Sequence, residues 1–333
     1  MEYIVNDCLD PYFNLALEEY LFTKENNHIY FWLWQNDNTI VIGKNQNAFQ
    51  EINLKPVQEN KVKVARRITG GGAVYHDLGN INFTFIVPSQ GAKNYDFRRF
   101  TGQIAKTLQA FGLHAEHSGR NDLLLEGKKI SGNAQYVGKT KILHHGTLLF
   151  SSDATVIGKY LNPLPVKLQT HGVGSVKSRV TTILAHLPQK ISITDFKNEL
   201  SQRICAEYEQ VNIGCLTDQE IAQVNNLRDH KFSTYEWIFG ASPEFNYSKS
   251  LLFNGCGVIN LSMNLSKANI IESCKISGDF FGSGDINELE KLLISHTLTK
   301  NSIMEALKDV DLQHYFSALN KEDFYRLFVS GKP

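Results

Sequence analysis

The sequence predicts an α+β protein, with mixed, largely antiparallel sheets flanked by helices and a small α/β unit at the C-terminal end. Three observations carry this reading. Short β runs recur between residues 29 and 150 and are joined by compact turns, such as Asn36-Asp37-Asn38, Gly79-Asn80 and Glu126-Gly127-Lys128, which suit antiparallel neighbours. Stretches of helical periodicity, each with a recognisable start or stop, lie between and after those runs. A segment containing Ser, Pro and Asn at 241–249 reads as a linker between a first domain, 1–240, and a second, 250–333, and 333 residues is an ordinary length for two domains.

Asp10-Pro11 opens the first helix, with Asp as N-cap and Pro at the first helical position. Phe13, Ala16, Leu17, Tyr20 and Leu21 then mark one apolar face, so this helix reads as core scaffold. Residues 29–35 and 39–43 read as two strands paired across the turn at 36–38, and 47–60 as a short helix broken near Pro56. Phe97, Phe100, Ile104, Leu108 and Phe111 recur at helical spacing with Gly112 just beyond, giving an amphipathic helix that covers the sheet. From 114 to 150 the pattern returns to β, with Gly138-Lys139-Thr140 as a hairpin turn. Residues 168–180 form a loop of Gly, Ser and Lys, either a mobile cover beside a site or an ordinary surface loop. Ser192 to Asp195 resembles a capping box before Phe196, Leu200 and Ile204, and Thr217 to Glu220 opens another helix in the same way. The second domain holds strands around 258–265 and 270–281, then helices from Ile286, Asn301 and Lys321.

The stretch most charged with chemistry is Arg66-Arg67-Ile68-Thr69-Gly70-Gly71-Gly72-Ala73-Val74-Tyr75-His76. Two guanidiniums precede three glycines, which allow positive φ and close approach of backbone to a ligand, a combination suited to an anion. Val74, His76 and Leu78 alternate with Tyr75 and Asp77 as a strand, and 82–87 continue as another, so the glycines lie between strands. A dinucleotide fingerprint or a P-loop needs its glycines between a strand and a helix, and neither is present.

Acidic and basic residues balance at 34 each, which argues against a general nucleic-acid or membrane-surface binder. No window approaches the roughly 20 apolar residues of a membrane span. The first residues, Met1-Glu2-Tyr3-Ile4-Val5-Asn6-Asp7, lack the basic start and apolar run of a secretory signal, so the expectation is a cytoplasmic protein. Cys8, Cys205, Cys215, Cys256 and Cys274 are scattered without a C-x-x-C pair and read as reduced, buried thiols. His114 and His117 lack the further ligands that zinc requires.

Four segments stand in the order and spacing of the signature segments of lipoate-protein ligases: residues 66–84, Ser118-Gly119-Arg120-Asn121-Asp122, Lys129-Ile130-Ser131-Gly132 and His144-His145-Gly146-Thr147-Leu148-Leu149. The chain resembles that family over nearly its whole length. The resemblance implies a catalytic domain of the biotin/lipoyl ligase kind with a C-terminal accessory domain, and favours the cover reading of 168–180. It also implies a monomer that uses ATP and Mg²⁺, needs no prosthetic group, and converts lipoate to lipoyl-AMP. The acyl group then passes to a lysine of a lipoyl domain, in acyltransferase subunits of 2-oxoacid dehydrogenases or the glycine-cleavage carrier protein.

By the same correspondence Lys129 is the catalytic cation, contacting the acyl carboxyl oxygen and the α-phosphate. Arg67, Gly72, Ala73, Val74, Tyr75 and Lys129 border the nucleotide. Trp34, Arg67, Gly70, Gly71, His76, Lys129 and His145 border lipoate, although Trp34 could equally be core. Arg66 would be an outward structural partner, and Asp122 either helps hold Mg²⁺ or caps a turn. The chemistry suits these residue types, because a carboxylate attacking a phosphate brings two anions together and calls for fixed cations and N–H donors. Two other readings are an ATP-independent octanoyl or lipoyl transferase and a non-catalytic binding protein. Cysteine thioester transfer calls for a reactive thiol near the site, and no cysteine lies between Cys8 and Cys205.

Overall fold

The computed structural model describes residues 1–92, 95–118, 121–153, 156–162, 179–240 and 245–329. Their strands are β1 (Glu2–Ile4), β2 (Tyr30–Trp34), β3 (Thr39–Ile42), β4 (Lys63–Arg66), β5 (Val74–His76), β6 (Asn80–Pro88), β7 (Glu116–Ser118), β8 (Asp122–Leu125), β9 (Lys128–Val137), β10 (Lys141–Leu149), β11 (Asn212–Gly214), β12 (Tyr247–Phe253), β13 (Gly257–Leu265) and β14 (Ile271–Gly278). They form an eight-stranded sheet in the order β11-β1-β2-β6-β10-β9-β8-β7 and two three-stranded sheets, β4-β3-β5 and β12-β13-β14. The β1–β11, β1–β2 and β3–β4 pairs are parallel and the others antiparallel, so the mixed, largely antiparallel architecture is the observed one.

Both faces of the large sheet are covered. Phe31 and Leu33 of β2 join one core with Phe85, Phe100, Ile104 and Leu200, beneath helix α4 (Phe97–Ala110) and the helix Ile193–Cys205. Tyr30, Trp32 and Trp34 point the other way, into a core with Leu15, Leu17, Val41 and Leu143 beneath α1 (Pro11–Thr23). With both faces buried, β2 carries no polar alternation. α1 starts as expected, the Asp10 carboxylate accepting from the Tyr12 N–H.

Several expectations need correction. β2 and β3 are both strands, but they do not pair with each other. β2 is occupied on its two edges by β1 and β6, and β3 by β4 and β5. The turn between them crosses from one sheet to the other around Asn36, which is buried and hydrogen-bonded to Asn14 and His76. Residues 47–60 hold two short helices, α2 (Ala48–Glu51) and α3 (Leu54–Glu59). The break falls at Ile52, drawn into an extended bridge with Leu161. Pro56 sits in the first turn of α3, where its missing N–H costs nothing.

In the second half, β12 begins at Tyr247, inside the segment read as linker, and residues 241–244 lie outside the described residues. So does most of the 168–180 loop, although Val180 bridges Lys129 and the Thr181 N–H donates to the Lys129 carbonyl. All five cysteines are free, but only Cys256 is buried and Cys215 is exposed. The third sheet has its own core with the helices Ile286–Leu293, Lys300–Ala306 and Lys321–Tyr325.

Candidate functional site

Where β3 and β5 of the small sheet face β6, β9 and β10 of the large one, a cavity of about 130 Å³ opens. Leu15, Trp34, Val41, Ala73 and Val74 give it an apolar wall, and Arg67, Gly71, Gly72, His76, Asn82, Asn121, Lys129, Asn133, His145 and Thr147 supply polar groups. Nine of the residues singled out in the sequence therefore meet around one space: Trp34, Arg67, Gly71, Gly72, Ala73, Val74, His76, Lys129 and His145.

Tyr75, Gly70 and Asp122 do not join them. Alternation along β5 turns Val74 and His76 inward and Tyr75 outward, where its ring lies 5.4 Å from that of Tyr160 and its hydroxyl donates to Asn38. Gly70 faces the segment that follows β14: a Cβ there would stand 2.3 Å from the Phe280 carbonyl oxygen. Asp122 lies behind Lys129, its Oδ1 2.8 Å from Nζ. Gly119 and Arg120 lie outside the described residues.

The two arginines serve different ends. Arg66 is buried rather than outward, and its guanidinium gathers the carbonyls of Gly43, Lys44, Gln46, Trp237 and Ile238. It ties β4 to the segment at Trp237 and Ile238. Arg67, equally buried, donates through Nε to Thr69 Oγ1 (3.0 Å), through Nη1 to the Val41 carbonyl (3.1 Å), and through Nη2 to the carbonyls of Gly70 (2.7 Å) and Gly72 (2.8 Å). One Nη1 N–H is left without a partner among the described residues. Burial pushes both guanidiniums down to about 10, so both stay charged at neutral pH. Gly71 has φ +92°, and a Cβ there would lie 2.9 Å from Arg67 Nη2, so the loop closes on its arginine only with glycine. Gly72 also lines the cavity, and a Cβ there would meet nothing nearer than Asp279 Oδ2 at 4.0 Å.

The state of His76 follows from its neighbours. The Asn14 amide donates to the carbonyls of Cys8 and Gln35 and to Asn36 Oδ1, which turns the Asn36 amide towards His76 Nδ1 at 3.1 Å. Nδ1 is then an acceptor and Nε2 carries the proton. Burial, with Arg67 and His145 beside it, pushes this imidazole down to about 3. Its Nε2, with Asn82 Nδ2 and Asn133 Oδ1, is buried and has no hydrogen-bond partner among the described residues. A cavity wall that keeps such atoms unpaired is prepared for something polar.

The family model of the lipoyl protein ligase A/B catalytic domain matches residues 10–205, more than half of the chain. The chain belongs to the lipoate-protein ligase family. The model of the bacterial lipoate protein ligase C-terminus matches residues 242–328. Lipoate-protein ligase LplJ of Bacillus subtilis is 39% identical over 323 residues, 96% of each chain. Among solved structures, P. falciparum LipL1 in complex with lipoate is 26% identical with a TM-score of 0.77, covering 93% of this chain and 94% of its own. A lipoate-protein ligase A bound with ATP, also 26% identical, gives 0.62 over 72% of this chain and 98% of its own. The chain is thus a ligase with the fold of this family.

Several residues beside this cavity were not singled out in the sequence. Glu18 of α1 is fully buried, and its carboxylate meets His145 Nδ1 at 2.8 and 3.0 Å and accepts from Thr84 Oγ1 at 2.6 Å. His145 Nε2 meets Thr69 Oγ1 at 2.8 Å. The available signal was Asn14 and Glu18, four residues apart beside an otherwise apolar helix face. Mg²⁺, implied with ATP, finds no protein cage: the described residues contain no cluster of three or more His, Cys, Asp or Glu, and Asp122 already faces an ammonium. The donor set does not make a metal centre. No helix of the described residues is long and apolar enough to cross a membrane.

Proposed function

We propose that this ligase activates lipoate with ATP and transfers the lipoyl group to the ε-amine of a lysine in a lipoyl-domain protein, working as a cytoplasmic monomer. The observation that carries the reading is the convergence of an apolar slot, a buried guanidinium and an ammonium on one cavity. The slot of Leu15, Trp34, Val41 and Val74 suits an acyl chain, and Arg67, Lys129 and the glycine loop suit its carboxylate and the α-phosphate. Catalysis of this kind needs positioning and charge rather than a nucleophile. In the first step a carboxylate oxygen bonds to the α-phosphorus as the bond to the β-phosphate oxygen breaks and pyrophosphate leaves. In the second a neutral lysine amine attacks the acyl carbon, AMP leaves and the amine gives up a proton. Mg²⁺ would travel on the nucleotide's own phosphates and neutralise charge there.

Lys129 is the residue placed to bridge the two anions, as a point charge on a flexible stem. Its present partner, Asp122, forms a half-exposed pair of the kind that exchanges readily. The lipoate-bound and ATP-bound relatives support the two substrates. Transfer through a cysteine thioester is disfavoured, since no cysteine lines the cavity. Replacing Lys129 with Ala is expected to lower pyrophosphate release by about 10²–10³-fold while lipoate binding persists. Unchanged turnover would remove Lys129 from the mechanism.

A further inference from the structure

Glu18 is the least expected residue in the site. Burying a carboxylate in a helix packed among leucines is costly, and an apolar side chain would fill the space without that cost. Its contacts have a fixed direction. Trp34 Nε1, a donor only, gives its proton to Thr84 Oγ1 at 2.8 Å, so the Thr84 hydroxyl proton is directed at Glu18. At the other end Arg67 Nε donates to Thr69 Oγ1, and with the imidazole neutral and its proton on Nδ1 the Thr69 hydroxyl proton goes to His145 Nε2. His145 then carries its own proton on Nδ1 and gives it to Glu18. Two obligate donors thus converge through hydroxyls and one imidazole on a single acceptor carboxylate.

We propose that Glu18 is a positioning residue that acts through His145 and Thr69 to hold the Arg67 guanidinium in the cavity wall, where it meets the acyl carboxylate. This rests on the reading of the cavity as the place of lipoate activation. Glu18 touches no substrate in this account. Its carboxylate sets the His145 tautomer, the tautomer leaves Nε2 free to accept from Thr69, and Thr69 can then accept from Arg67. Glu18→Gln preserves volume but removes the charge that fixes the ring proton on Nδ1. An amide that turns its N–H to His145 Nδ1 moves the ring proton to Nε2, which then donates to Thr69 Oγ1 and turns the Thr69 hydroxyl proton away.

The test has two arms. In ¹⁵N-labelled protein, ring-nitrogen shifts of His145 are expected to show the neutral Nδ1–H tautomer in the wild type and the Nε2–H tautomer in Glu18→Gln. An Nε2–H tautomer or an imidazolium in the wild type overturns the relay whatever the activity. In the second arm, pyrophosphate release with lipoate and ATP is expected to fall in kcat by about 10²-fold for Glu18→Gln and for the isosteric Thr69→Val, with the KM for ATP unchanged. The double variant falls no further than either single, because both cut one chain of contacts, and Glu18→Asp recovers part of the rate. Losses that multiply in the double variant, or that fall on KM alone, overturn the positioning role. Should Glu18→Gln fail to fold, Thr69→Val still reads Arg67 placement from outside α1. A wild type that releases no pyrophosphate would refute the functional reading, and the tautomer arm would still decide the relay.

Discussion

At the residue scale, two adjacent arginines show how little a residue type says without its partners. Arg66 and Arg67 are buried alike, yet one binds carbonyls that join distant segments and the other binds its own glycine loop in the wall of the cavity. A lysine cannot reproduce a planar fork with five donors. Arg66→Lys is therefore expected to cost about 2–4 kcal/mol of stability through unpaired carbonyls, read in denaturant unfolding, with the residual folded enzyme still active. Arg67→Lys is expected to lose more activity than stability. The reverse ordering would exchange their roles. Arg67, Lys129, His76 and His145 were legible because their motifs are local. Glu18, Thr69 and Thr84 were not, because a polar residue in a helix or strand shows its importance only through partners that the fold brings from elsewhere: 66 positions separate Glu18 from Thr84, and 127 separate it from His145.

At the scale of elements, the glycine loop between β4 and β5 is held from three sides. Arg67 gathers its carbonyls, Gly71 adopts a backbone that L side chains resist, and Gly70 is pressed against Phe280 and Phe281. Gly72 lines the cavity with room for a Cβ. Gly71→Ala is expected to destabilise the protein measurably, by about 1–3 kcal/mol, whereas Gly72→Ala is expected to stay within about 0.5 kcal/mol and to raise the KM for ATP or lipoate. Equal kinetics for Gly72→Ala and the wild type would place the ligand elsewhere. Elements with a cap or a strong period, such as α1, α4 and the β9–β10 hairpin, were legible in the sequence. Strand partnership was not: β2 and β3 are apolar on both faces, so nothing in their patterns distinguishes a mutual hairpin from membership of two sheets.

At the scale of the whole molecule, the segment that follows β14 packs against the elements around the cavity. Phe281 reaches back from the third sheet to pack against Phe97, Tyr95 and Ala134, and the Gly278 N–H donates to the Asn45 carbonyl. Folding also keeps two imidazoles neutral. His144 stacks 4.5 Å from Phe100, and burial, then the neighbouring His145, holds it well below its usual range. Unfolded histidine takes up a proton near 6.5, but folded His76 does so only near 3. Between those values the unfolded state binds more protons, so the contribution is complete above about 6.5 and is lost as pH falls towards 3. Melting is expected at a lower temperature at pH 5 than at pH 7, with a smaller difference for His144→Leu, and equal midpoints for the wild type would contradict this. Lipoylation itself is read by mass spectrometry of a purified apo lipoyl domain incubated with this ligase, lipoate and Mg²⁺, with and without ATP. A lipoyl mass increase on one lysine is expected only when ATP is present; modification without ATP, or none while the same domain accepts the group from supplied lipoyl-AMP, would refute ATP-dependent lipoate transfer by this chain.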